Sequence, residues 1–149
     1  MTLPKESERL DYLCNTIPAL LAAIEEEDFS YKAAPGRWSK KEILGHLVDS
    51  AANNHHRFVR RQFEPFTLVP YDQHNWVRYN FYQQLPTQQL IDFWASYNRQ
   101  LSHLIQHIPA ENLMLSYESA DGTIVSLAFL IEDYVAHLEH HLHQIIPNY

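Results

Sequence analysis

Histidine is the residue in this chain best placed to do chemistry. Ten occur in 149 residues, four of them between positions 137 and 143. The segment around those four reads as helix, because Leu127, Leu130, Ile131, Tyr134, Leu138, Leu142 and Ile145 recur at three- and four-residue steps. Turning each residue by about 100° divides the histidines into two sets. His140 and His143 fall on the polar side with Glu132 and Glu139; His141 falls inside the apolar stripe and His137 at its edge. An i,i+4 pair stacks two imidazoles one turn apart on one face, where a single metal ion can take both. The structural alternative is a pair of boundary histidines hydrogen-bonded to other helices. His103 and His107 share the spacing but lie away from the centre of their own apolar stripe, so they read as surface residues.

Four amphipathic segments must position these residues. The patterns predict helices over 5–27, 39–63, 87–108 and 126–146, with a single domain spanning 1–149 and almost no sheet. Pro18 predicts a kink in the first, and the acidic run Glu25 to Asp28 reads as its fraying exit. Ser39 with Glu42 three residues on is a capping-box signature, and Trp38 before it can staple the helix entry, packing behind His46. Thr87 and Ser126 are the expected caps of the third and fourth helices. Residues 64–85 are the least regular stretch, rich in aromatics (Tyr71, Trp76, Tyr79, Phe81, Tyr82) that suit either a pocket lining or a satellite core. Asp121-Gly122 signals a turn, compatible with a short hairpin.

Helices of this kind form an all-α four-helix bundle, whose interior builds metal sites from facing side chains. Two imidazoles leave a divalent ion under-coordinated. His46 is the natural third ligand, two turns into the second helix and ahead of a polar stripe of Asp49, Asn53, Arg57 and Arg60. Three neutral imidazoles with open positions describe a catalytic type of site, with ring nitrogens about 2.0–2.2 Å from a zinc ion or a neighbouring divalent metal. The stripe itself reads either as a solvated face or as the border of that site.

Composition narrows the function classes. The net charge is −7 with no basic block, which argues against nucleic acid and anionic membranes as partners. A single cysteine, Cys14, excludes an intrachain disulfide and fits a reducing, cytoplasmic location. Cys14 lies on an apolar stripe and no nucleophile-elbow sequence is present, so serine or cysteine hydrolysis is a poor fit. No apolar run is long enough to span a bilayer.

The segments Trp38-Ser39 to Glu42 to His46-Leu47-Val48-Asp49 and His137-x-x-His140-His141-x-x-Gln144-Ile145 resemble the DinB/YfiT family. The resemblance covers nearly the whole chain. It implies a four-helix bundle of up-down-down-up topology, with a divalent metal held by His46, His137 and His141, the triad the face analysis selects. His143 departs from the family's usual glycine. The resemblance implies a metal-dependent enzyme acting on a small-molecule substrate: a thiol S-transferase with a low-molecular-weight thiol cosubstrate such as bacillithiol or mycothiol, or a hydrolase. The alternative is a non-catalytic metal-binding or dimerisation module, and homodimers occur among relatives. Zinc is the first choice of metal, with nickel, iron or manganese as others. Asp49 and Asn53 are the candidates to orient a nucleophile, Arg57 to hold a substrate or cofactor carboxylate, and Asp133 to accept an imidazole N–H.

Overall fold

A computed structural model describes residues 4–65 and 68–149 of the chain. Four long helices dominate: α1 (Pro4–Ala22), α3 (Lys40–Arg60), α5 (Thr87–His107) and α7 (Leu127–Ile145). Shorter helices α2 (Glu26–Phe29), α4 (Gln73–Asn80) and α6 (Ala110–Leu113) lie in the connections. Strands β1 (Ser116–Glu118) and β2 (Ile124–Ser126) pair antiparallel with Tyr117 opposite Val125. Gly122 closes that hairpin at a φ of 86°, a backbone region open to glycine.

The long helices form a four-helix bundle of up-down-down-up topology. α1 packs chiefly on α5, and α3 packs on both α5 and α7, while α1 also touches α7. Arg99 and Ser102 of α5 bond to Cys14 and Ser7 of α1, in the order an antiparallel pair requires. One apolar core runs through all four helices, with Trp94, Phe58, Leu47, Ile91 and Leu138 among its buried members. Inside it, the Tyr134 hydroxyl donates to Asn98 Oδ1 (2.6 Å) and the Asn98 amide donates to the Trp94 carbonyl (2.9 Å). A pair of buried polar side chains is tolerated there because both find partners.

Capping chemistry fixes the helices that matter for the site. Ser39 accepts from the Glu42 N–H while the Glu42 carboxylate accepts from the Ser39 N–H, a complete capping box at the start of α3. Ser126 accepts from the Phe129 N–H (3.1 Å) and starts α7. Four expectations change. The first helix ends at Ala22 rather than near 27. The acidic run does not fray; it forms α2, anchored by fully buried Phe29 and by pairing of Asp28 and Glu26 with Lys40 and Lys41 of α3. Thr87 is not a cap but the first residue of α5, and its hydroxyl donates to the Glu26 carboxylate (2.5 Å). The irregular 64–85 stretch contains α4 and a 3-10 turn (Tyr82–Gln84), with α4 capped by Asp72 accepting from the Asn75 N–H. α3 also ends earlier than expected, at Arg60.

Gly45, one residue before His46, sits where α3 meets that 3-10 turn. A Cβ there would fall well inside van der Waals contact with the Tyr82 ring, which is itself buried. Gly45→Ala is therefore expected to lower stability by about 1–3 kcal/mol by overpacking, although alanine is the better helix former by about 1 kcal/mol. Urea unfolding of the two proteins checks this, and an unchanged or higher midpoint would contradict the close approach.

Candidate metal centre

α3 and α7 run antiparallel, and the facing positions near one end of the pair carry the histidines. His46 is fully buried; His137 and His141 are half-buried. One ligating nitrogen of each ring lies within 4.8 Å of the other two. The ring centroids are 5.3 Å apart for His46–His137, 4.7 Å for His46–His141 and 4.6 Å for His137–His141, each pair edge-on.

Two features make this cluster unusual for a packed interior. Both ring nitrogens of His46 lack a hydrogen-bond partner among the described residues, at a position with no solvent exposure. Each buried, unpaired polar atom costs about 1–3 kcal/mol, so such an arrangement signals a missing partner more than a core residue. Burial first, then the neighbouring His141 and His137, push His46 down to about 3. Burial also lowers His137. Both rings are thus neutral at pH 7 and carry the lone pairs a cation needs. The donor set fits a divalent metal of the imidazole-binding kind, with no thiolate or carboxylate in the cluster.

Neighbouring side chains set the rings. His141 Nδ1 donates to Gln144 Oε1 (2.9 Å), which places the ring's lone pair on Nε2. Gln144 belongs to the sequence motif but its role is visible only in the structure. The Trp38 ring lies 4.9 Å from that of His46 and 5.1 Å from that of His74 in α4, so it packs on His46 and is itself flanked by a second imidazole. His140 and His143 are exposed, and His143 stacks on Tyr149 at 4.4 Å.

The polar stripe divides. Asp49 is 2% exposed. Its Oδ1 accepts from the Tyr82 hydroxyl (2.6 Å) and the Asn80 amide (3.0 Å), while Oδ2 has no partner. Burial raises its carboxyl to about 6, with the Tyr82 hydrogen bond pulling the other way. Asn53 is half-buried and its amide donates to the Asp49 carbonyl (2.9 Å), so its visible engagement is with its own helix. Arg57 donates to the Val69 carbonyl (3.1 Å), a contact that ties Val69 to α3. Asp133 is exposed and makes no hydrogen bond to His137 among the described residues, although its charge raises that ring's affinity for a proton. Asn80 and His74 have no local mark in the sequence, and Tyr82 stands out there only as one of the aromatics of the 64–85 stretch. Gly45 was the one available signal, since a glycine inside a helix marks a close approach.

Cys14 is 1% exposed and burial pushes its thiol to about 11, so it is no nucleophile. No helix among the described residues is long and apolar enough to cross a membrane.

The sequence model of the DinB superfamily matches residues 9–145. A protein of Halalkalibacterium halodurans named "Putative metal-dependent hydrolase" is 24% identical over 134 residues, covering 89% of this chain and 78% of its own. A protein of the same name from Oceanobacillus iheyensis is 24% identical over 122 residues, covering 81% and 69%. Among solved structures, YfiT from Bacillus subtilis, described as "a probable metal-dependent hydrolase with an unusual four-helix bundle topology", superimposes with a TM-score of 0.83 at 18% identity, over 95% of this chain and 82% of its own.

Proposed function

The chain belongs to the DinB superfamily, and from that premise we propose that it is a metal-dependent hydrolase of a small-molecule substrate, with His46, His137 and His141 as the ligands. The observation that carries this reading is the buried His46 ring with both nitrogens unpaired, facing two half-buried imidazoles. The names of its relatives support it from a second direction. A divalent cation in such a site supplies Lewis acidity and a nucleophile available at neutral pH. Zinc suits three imidazoles best, with nickel, iron or manganese as alternatives.

The chain's own residues do the rest. Gln144 fixes the His141 tautomer, and Trp38 seals one face of His46 from water. Asp49 ties Asn80 and Tyr82 to α3, holding the end of α4 near the histidines. Its unpartnered Oδ2 can hold a proton near neutral pH, which suits a group that exchanges protons with substrate.

Metal analysis of the purified protein, followed by assays with ester and amide substrates, tests this. The expected result is one metal per chain and hydrolysis lost on chelation and restored by zinc. Consumption of a low-molecular-weight thiol with an electrophile, without hydrolysis, would replace the hydrolase reading by S-transfer. Bound metal with neither activity would leave a non-catalytic binding module.

A further inference from the structure

The chain has seven arginines, and five of them are engaged. Arg9 and Arg60 pair with Glu139 and Glu64, and Arg57, Arg61 and Arg99 donate to the carbonyls of Val69, Ser116 and Cys14. Among the described residues only Arg37 and Arg78 have side chains without a hydrogen bond or ion pair, Arg78 lying over the Tyr79 ring. Both line openings beside the histidine cluster. Arg37 borders a cleft of about 500 Å³ formed with Gly36, Trp38, Ile43, His74 and Gln144. Arg78 borders a neighbouring cavity of about 440 Å³ that shares Gly36, Trp38 and His74.

Three properties of the Arg37 cleft point to a ligand. Its volume falls in the range of small-molecule sites, roughly 300–1,000 Å³. Two of its lining residues touch the histidine cluster, Gln144 by bonding to His141 and Trp38 by packing on His46. It also has no acidic residue in its lining, in a chain with 18 aspartates and glutamates and a net charge of −7. An unpaired guanidinium lining one cleft with an indole and an imidazole is a recognition set for a planar anion: the fork takes a carboxylate through two N–H donors, and the rings receive the apolar part attached to it.

We infer that this cleft takes a small molecule bearing a carboxylate, gripped by Arg37 and lying along Trp38 with its other end toward Gln144, the residue that holds His141. The inference rests on the metal-centre reading only for which end reacts; the anion grip stands on the cleft itself. Arg37 is a substrate-positioning residue in this arrangement, a role that sequence reading had given to Arg57. Arg57 donates to the Val69 carbonyl.

Matched probes separate the possibilities: 3-phenylpropionate and its uncharged amide, titrated into zinc-free and zinc-loaded protein while the Trp38 indole N–H signal is followed by NMR. Zinc-free wild-type protein is expected to bind the carboxylate at least about tenfold more tightly than the amide, with the preference shrinking as salt rises. Arg37→Gln should abolish that preference and leave zinc content and the amide's affinity unchanged, whereas Arg57→Gln should retain it. Equal affinities for the two probes in zinc-free wild type, or an intact preference in Arg37→Gln, overturns the proposal. A Trp38 signal that moves with neither probe overturns it as well. Zinc binding is read in the same samples. A preserved carboxylate preference in a protein that takes up no zinc supports the cleft while removing the hydrolase reading, and normal zinc uptake without the preference does the reverse.

Discussion

His46→Ala is expected to weaken zinc binding by more than about 100-fold, since outer residues that merely orient a ligand already cost 10–100-fold. His137→Ala and His141→Ala should behave alike, each leaving two imidazoles. His140→Ala, one position from His141 but exposed, should stay within about twofold of wild type. Competition titration with a chromogenic chelator gives the affinities. Equal losses in the His140 and His141 variants would place the metal on the other face of α7 and remove the basis of the hydrolase reading. The same position has an opposite effect on the metal-free protein. The unpaired His46 nitrogens burden the fold, and an apolar side chain of similar size relieves them. His46→Leu should therefore be at least as stable as wild type without metal, while binding no zinc. A structural histidine would show the reverse, a loss of stability and no metal phenotype.

Asp49→Asn is expected to stabilise the metal-free protein at pH 8 by up to about 3 kcal/mol and to have almost no effect at pH 3.5. Folding raises the Asp49 carboxyl from 3.8 to about 6. A raised value means that the folded state holds the proton more tightly than the unfolded chain. The resulting stability is fully present below 3.8 and is lost as pH rises through about 6. At pH 8 the folded protein carries an ionised carboxylate with one oxygen unpartnered, and an amide of the same shape removes that charge. Its Oδ1 can still accept from Tyr82 and Asn80. All other groups are common to the two proteins and cancel in the difference. Urea unfolding at the two pH values gives the numbers, and a gain of equal size at both would assign the effect to packing. A carboxylate retained against its own stability is the pattern expected of a residue kept for chemistry.

Much of this was legible in the sequence, for identifiable reasons. The starts of α3 and α7 follow from Ser39 with Glu42 and from Ser126, because caps are local chemistry. The convergence of His46, His137 and His141 follows from helical rotation plus the rule that bundle sites form between facing helices. α4 was not legible because Val77 is its one buried residue, too few to give a period. The break at Ala22 was hidden by Ile24, which extends the apolar pattern past the helix end and packs on the core from the turn. The grip of Asp49 on Asn80 and Tyr82 spans more than thirty positions. The bond from Arg57 to the Val69 carbonyl likewise joins α3 to a residue outside it. Long-range pairings of this kind leave no trace in spacing.

The sealing of Cys14 inside α1 has a practical reach beyond the bundle. With its one sulfhydryl 1% exposed and held protonated, the folded chain offers no accessible thiol to oxidants, alkylating reagents or disulfide exchange. A thiol-directed reagent brought to the histidines meets no competing protein thiol. A cysteine introduced on the surface would likewise be the only modifiable one, and fluorophores or spin labels can be placed on α4 with the native residue left where it is.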